Sequence, residues 1–386
     1  MKFTKLSLIA ALAASSAIAG GDIAPVEPVV EEVVVAVPAH TAIGCNSLTT
    51  ISSKATAYYY TNDSVDLFDS KSSAFATAVT LDVSHKITPN LAANFSAVGF
   101  VNWMDDFGYF EGEEKGAFFN VANLTATYGD TTLILGRQLI DSPMFKSYDW
   151  LLAPSSYEAY TIANGSIDNV TLVGTYVRQY RPNNAGDNWI DLTDIGDGNN
   201  WAVGAVYGKD ALKGNLWYYN IDVADYTQIY ADASYDFGTV EAAAQIASTD
   251  YDKTDDSLAY GAKVGTEFSG VNLSAAVDII SDAPAGFVSR DGLYTTSWNY
   301  NASLAAIPND DTTTWKVDAS TKYAGINAEA SYAGYGDEGS ELDVILGYDI
   351  TKCINVGAVY SLTDYDVDVD TTDAVAALEV FANYKF

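Results

Sequence analysis

The sequence predicts an all-β chain folded as a transmembrane antiparallel β-barrel of about eighteen strands. Three observations predict it. Stretches of about ten residues with period-two alternation recur from about residue 47 to the end. The connections between them alternate between tight turns and long loops. An export signal opens the chain, and no later segment reaches the ~18 apolar residues a membrane helix needs.

The export signal occupies residues 1–19. Lys2 and Lys5 precede the apolar stretch that starts at Leu6, and Ala17-Ile18-Ala19 supplies the small-residue cleavage pattern, so cleavage is expected after Ala19. Residues 20–44 follow as a Pro/Val/Glu-rich spacer carrying Pro25, Pro28 and Pro38. Proline has no N–H to donate to a sheet, so an extended periplasmic tether is expected, with a partial plug as the alternative. The barrel domain is expected to span 45–386.

Within that domain the alternation is explicit. Phe75, Val79, Leu81 and Val83 are bulky, whereas Ala76, Ala78, Thr80, Asp82 and Ser84 between them are small or polar. Leu91, Phe95, Val101 and Trp103 stand opposite Asn94, Ser96 and Asn102; Val271, Leu273, Ala275, Val277 and Ile279 stand opposite Asn272, Ser274 and Asp278. In chain order the expected strands are 48–60, 73–86, 91–104, 117–128, 131–140, 157–164, 168–180, 200–208, 214–222, 226–236, 239–249, 257–268, 270–280, 312–323, 325–335, 340–350, 353–365 and 374–386. Thr88-Pro89-Asn90, Gly129-Asp130, Phe237-Gly238, Ser269-Gly270 and Ala324-Gly325 are turn sequences on one side. The stretches 105–116, 141–156, 181–199 and 281–311 are long connections on the other. A soluble β-sandwich would carry Lys and Glu on its polar face, where this chain carries Ala, Gly, Ser and Thr. Closure into a barrel also removes the unpaired edges that lipid would not tolerate.

Composition excludes other classes. With 19 Lys+Arg against 51 Asp+Glu the net charge is −32, so a basic nucleic-acid surface is absent. The 29 Gly, 27 Tyr and only 3 Met argue against helical bundles. Tyr58, Tyr59, Trp103, Tyr128, Trp217, Tyr235, Tyr323, Tyr332, Tyr348 and Tyr384 fall near expected strand ends, where an aromatic girdle meets lipid headgroups. The chain closes on a strand ending in Phe386, which resembles the terminal signal of outer-membrane barrels. The expected location is therefore the outer membrane of a Gram-negative bacterium.

The segment Gly136-Arg-Gln-Leu-Ile-Asp-Ser-Pro-Met-Phe-Lys-Ser-Tyr-Asp-Trp150, continued by Leu-Leu-Ala-Pro-Ser-Ser-Tyr-Glu-Ala-Tyr160, resembles the third-loop region of the OprD-like porins. Asn164-Gly-Ser-Ile-Asp-Asn-Val-Thr-Leu172 and Leu216-Trp-Tyr-Tyr-Asn-Ile-Asp-Val-Ala-Asp225, with Gln228-Ile-Tyr-Ala-Asp232, are similar to the campylobacterial major outer membrane porin. The resemblance implies an eighteen-stranded, often trimeric porin whose third loop folds inward as a constriction. The spacer and the cysteines are departures from that pattern.

If bulky positions face lipid, parity assigns the lumen. The acids there are Asp82, Asp222, Asp232, Glu241, Glu267, Asp278, Asp318, Glu329, Glu341, Asp343 and Glu379, against Lys54, Arg137, Arg178, Lys263, Lys316, Lys322 and Lys385. A water-filled channel with excess negative charge concentrates cations, so a cation-preferring pore for small hydrophilic solutes and ions is expected. With loop 141–156 inside, Asp141, Lys146, Asp149 and Glu158 would face Arg137, Arg178 and Arg181 across the lumen and create a transverse field. The plainer alternative is that Arg137 and Arg178 pair with loop acids and anchor the loop. Leu133 and Leu135 share the parity of Arg137, so the facing of that strand reads both ways.

Cys45 precedes the first strand and Cys353 follows a short turn, which puts both at the periplasmic rim in an oxidising compartment and makes a Cys45–Cys353 disulfide the expected state. Asp364, Asp366, Asp368, Asp370 and Asp373 alternate, so several carboxylates share one side where a Ca²⁺ could be bridged. The Gly and distal Glu of an EF-hand are missing, a solvated acidic loop is the plainer reading, and no cofactor is expected. His40 and His85 are the only histidines, which makes a Ser/His hydrolase difficult to assemble, and no enzyme is expected. The competing function is a surface adhesin or structural barrel with a blocked lumen, whose long loops, 281–311 above all, would hold a partner.

Overall fold

The computed structural model describes residues 48–106, 108–110, 114–144, 146–147, 149, 151–183, 190–194, 198–281, 283–286, 292–299, 312–365 and 376–386. Eighteen antiparallel strands form the wall: β1 (Thr49–Asn62), β2 (Ser73–Thr88), β3 (Leu91–Met104), β4 (Lys115–Tyr128), β5 (Thr131–Gln138), β6 (Ser156–Ile167), β7 (Val170–Arg181), β8 (Asn200–Lys209), β9 (Leu212–Ile221), β10 (Tyr226–Asp236), β11 (Val240–Tyr251), β12 (Ser257–Phe268), β13 (Val271–Ser281), β14 (Thr312–Tyr323), β15 (Ile326–Gly334), β16 (Gly339–Asp349), β17 (Ile354–Tyr365) and β18 (Ala376–Lys385). Each pairs with the next in sequence, and β1 pairs with β18 from Lys54↔Lys385 to Asn62↔Ala377, which closes the ring. The short segment Thr193–Asp194 pairs onto the end of β7. Every expected strand is present, with ends displaced by a few residues.

Local chemistry accounts for the tight side. Ser269-Gly270 and Ala324-Gly325 each take two consecutive positive φ values (54° and 80°, 51° and 87°), the two-residue hairpin geometry whose twist matches the flanking strands. Strand β6 runs three residues past its expected end, to Ile167, and β5 stops at Gln138 rather than reaching residue 140. There the Gln138 side chain donates to the Ala159 carbonyl at 2.8 Å, and the chain turns into the barrel. Gly136 prepares this departure with φ 112°, where a Cβ would stand 2.5 Å from the Ala122 carbonyl oxygen, so only glycine fits.

Cross-strand partners share a face, so register fixes the facing of every side chain. Leu81, Phe95, Leu124, Ile162, Leu172, Ile246, Val264, Val317 and Leu346 are exposed on the outside, as the lipid face of a barrel requires. Tyr128, Tyr235, Tyr323, Tyr348 and Tyr384 ring the periplasmic end of that face, and Trp103 and Tyr332 stand nearer its opposite end. Two members expected in this girdle are not there: Tyr58 and Trp217 point inward and are buried in the barrel interior. Proximity to a strand end suggested the girdle for both, but their parity places them inside.

Among the described residues the interior is apolar in two large regions and a small third, where Tyr294 meets Ala243 and Ala276. One large region gathers Tyr58, Ala74, Ala76, Ala78, Val98, Phe100, Phe110, Phe118, Leu151, Leu152 and Ala153 on β1–β4, the β3–β4 loop and the loop after β5. The other gathers side chains of β6–β13 with Ile140 and Met144 from the same loop, and with Ala285 and Leu293 from the loop after β13. Both large regions exist because two connections fold into the barrel.

Candidate functional site

The first inward connection is the third long loop, between β5 and β6. Its return limb seats Leu151, Leu152 and Ala153 on the small inner residues of β2, which leave room for them. Asp149 reaches Lys54 on the inner face of β1, with Nζ to Oδ2 at 3.0 Å. At the other end Tyr219 on β9 donates to Ser142 at 3.2 Å and accepts from the Met144 backbone N–H at 3.3 Å. β1 and β9 lie on opposite sides of the ring, so the loop is fastened to both walls. On either side of Ser142 and Met144, Asp141 and Lys146 form an isolated antiparallel bridge that folds the loop on itself.

The second inward connection is the 281–311 loop. Residues 283–286 lie on β10–β12: Gln228 and Thr249 donate to the Ala285 carbonyl, at 2.5 and 2.7 Å, and Ser257 donates to the Ala283 carbonyl at 2.6 Å. Residues 292–299 continue along the wall towards β18. The Thr295 N–H and hydroxyl donate to Asp278 Oδ2 (3.0 and 2.9 Å), the Trp298 N–H donates to Asp343 Oδ2 (3.0 Å), and the Asn299 N–H donates to Glu341 Oε1 (2.7 Å). The Trp298 indole N–H donates to Glu379 Oε1 at 2.8 Å, and Tyr58 from β1 donates to the other oxygen of that carboxylate. Lys316 Nζ donates to the Thr296 carbonyl at 2.9 Å, and the Tyr335 hydroxyl donates to the Thr295 carbonyl at 3.1 Å. The third loop thus covers the β1–β9 half of the ring and the described part of the 281–311 loop covers the β10–β18 half. Sequence reading missed the second. Its signal was Leu293-Tyr-Thr-Thr-Ser-Trp298, more apolar than a solvated loop requires.

The residues expected at the constriction divide. Asp141, Lys146 and Asp149 belong to the inward loop. Arg137, Glu158 and Arg178 do not face the lumen: Arg137 pairs with Ala122 and Glu158 on the parity of Leu133 and Leu135, which is the outer face. Its guanidinium donates to the Phe119 carbonyl, and Arg178 pairs with Glu158 at 3.7 Å on the outside. A bulge opposite Glu158 and Ala159 leaves Arg178 as the extra residue of β7. Arg181 is inside but wholly buried. It donates to Asn120 Oδ1 from Nε and Nη2 (3.1 and 2.8 Å) and to the Pro154 carbonyl, with Phe118 beneath it at 4.4 Å. It therefore anchors the end of the third loop through an amide and a backbone carbonyl, with no loop acid as partner.

Of the acids expected in the lumen, Asp82, Asp232, Glu241, Glu267, Asp278, Asp318, Glu329, Glu341, Asp343 and Glu379 all occupy inner-face registers. Asp232 accepts from Asn215 Nδ2 (3.1 and 3.0 Å), and Asp318 lies 3.2 Å from Lys316 Nζ and accepts from Ser274 at 2.7 Å. Asp222 is in the short turn after β9 rather than on the wall. Glu267 is exposed and Glu241 half-buried, whereas Asp278, Glu341, Asp343 and Glu379 are covered by the 292–299 segment.

Cys353 is exposed in the turn before β17 and Cys45 lies outside the described residues. Asp364 is exposed near the end of β17, and Asp366, Asp368, Asp370 and Asp373 also lie outside them. Among the described residues no group of three His, Cys, Asp or Glu side chains is placed to hold a metal ion.

Residues 111–279 match the family described as outer membrane porin, OprD family. The structure superposes on OccAB3 of Acinetobacter baumannii with a TM-score of 0.72 at 14% identity, covering 88% of this chain and 99% of that one. OpdK of Pseudomonas aeruginosa gives 0.71 at 15% identity, with 88% and 100% covered, and OccK3 of the same organism gives 0.68 at 17%, with 88% and 95% covered. No curated protein matches the chain in sequence.

Proposed function

We propose, for a chain whose residues 111–279 match the outer membrane porin, OprD family, passive diffusion of small hydrophilic solutes, with a preference for cations and the inward third loop as constriction. The observation that carries this reading is a closed ring with an acid-rich inner wall, across which the third loop is fastened at Lys54 and Tyr219. Moving Arg137 and Arg178 to the outer face leaves the wall more acidic than parity alone indicated. Carboxylates along a narrow aqueous path raise the local concentration of cations and exclude anions. The same reading takes residues 1–19 as removed on export, 20–44 as a periplasmic tether, the working unit as a homotrimer, and Cys45–Cys353 as a disulfide.

Single-channel recording of refolded protein under a KCl gradient tests this. Discrete steps with a reversal potential on the cation side are expected. Neutralising Glu241 and Glu267 together should lower the cation-to-anion ratio, with a larger effect at 0.1 M than at 1 M salt, because the screening length falls from about 10 Å to about 3 Å. Folded, heat-modifiable barrels that give no steps would transfer the function to surface attachment with a blocked lumen.

A further inference from the structure

We propose that Asp278, Glu341, Asp343 and Glu379 are positioning residues that hold the 292–299 segment inside the barrel, and that through it they set the largest solute the channel passes. The proposal rests on the channel reading and assigns these four acids a part different from that of path-lining charge.

Residues 292–299 form no strand or helix, so their amides have no sheet partner, and an amide buried inside a barrel needs an acceptor. Three of those amides and one indole N–H find carboxylate oxygens on β13, β16 and β18, at 2.7–3.0 Å. A charged acceptor makes a shorter and roughly twofold stronger bond than a neutral one, which suits a segment held without regular structure. Burial separates the two parts an acid can play. Asp278, Glu341, Asp343 and Glu379 are 0%, 1%, 1% and 4% exposed, so ions moving through the water-filled path do not touch them. Removing such an acid while keeping an acceptor oxygen should leave the segment in place. Removing the oxygen as well should release it and widen the path.

Two pairs of substitutions read this difference. Glu341→Gln with Asp343→Asn removes two charges and keeps both acceptor oxygens; Glu341→Ala with Asp343→Ala removes both. The alanine pair is expected to raise single-channel conductance about twofold and to admit larger uncharged polyethylene glycols into proteoliposomes. It should also speed amide hydrogen exchange in 292–299. The amide pair is expected to keep the wild-type size limit, slow exchange and cation preference. If the alanine and amide pairs share one size limit and one exchange rate, the four acids are lining charge and the proposal is overturned. Hydrogen exchange does not depend on conduction, so it decides the clamp even if the wild-type barrel forms no channel. Where the alanine pair fails to fold, Asp343→Ala alone releases the Trp298 amide and gives the same contrast against Asp343→Asn.

Discussion

Arg181→Leu is expected to lower the stability of the folded barrel by about 3 kcal/mol and to unfasten the third loop. The leucine fills much of the arginine's volume but donates nothing. Asn120 Oδ1 and the Pro154 carbonyl then stay buried without the guanidinium that now serves both, and each such acceptor costs about 1–3 kcal/mol. Relief of the charge's own burial offsets part of the loss, which brings the sum towards the lower end of the range for a broken buried network. Arg181→Lys should recover only part of it, since an ammonium cannot reach Asn120 and Pro154 together as a planar fork does. Asn120 Oδ1 accepts from both Nε and Nη2 of this arginine. It is the extra residue at the irregularity between Ser96 and Ala97 in the β3–β4 register, and the bulge turns its amide inward. Urea titration followed by gel mobility measures the stability. A noisier, larger conductance measures the freed loop. An unchanged urea midpoint would show that the loop end is held by Leu151 and Leu152 alone.

Gly204→Val is the second large effect, with an expected cost of about 2–3 kcal/mol. Gly204 on β8 is directly paired with Trp217 on β9, both on the inner face, and a Cβ at 204 would overlap the indole ring itself. The ring is among the largest groups of the second apolar region, stacked on Tyr219 with centroids 5.8 Å apart. Valine would drive it off this seat, and Tyr219, which holds Ser142 and Met144 of the third loop, would move with it. A red shift of tryptophan emission with a lower urea midpoint is the expected result. Trp217→Leu in the same background should restore part of the stability, because the clash belongs to that one pair.

The wall was legible because its physics is periodic. Lipid outside and water or packed side chains inside impose a period of two on every strand, and Ser269-Gly270 or Ala324-Gly325 mark the points where the period restarts. Parity failed where counting fails. Bulges at Asn120 and Arg178 insert a residue that no alternation announces, and the facing of Arg137 was open until its partners Ala122 and Glu158 were known. Parity also says which face a side chain occupies but not what comes to cover it. Asp278, Glu341, Asp343 and Glu379 were placed on the correct face as lining charge. That Thr295, Trp298 and Asn299 lie upon them is a contact between distant parts of the chain that no local pattern encodes. Tyr58 illustrates the same limit: its neighbour Tyr59 does face outward, and only the Glu379 carboxylate beside Tyr58 reveals why a tyrosine is wanted inside.

The ring closure has a consequence in time. Every strand but one meets its neighbour through a hairpin, so most of the wall can assemble in the order in which the chain is delivered. The last junction is different: Thr61 must wait for Leu378, and Lys54 for Lys385. Until Ala376–Lys385 arrives, β1 stands as an open template able to recruit any other strand, including one from a neighbouring chain. The hazard of misassembly is therefore concentrated in a single late event, and a cell that shelters that one edge shelters the whole protein.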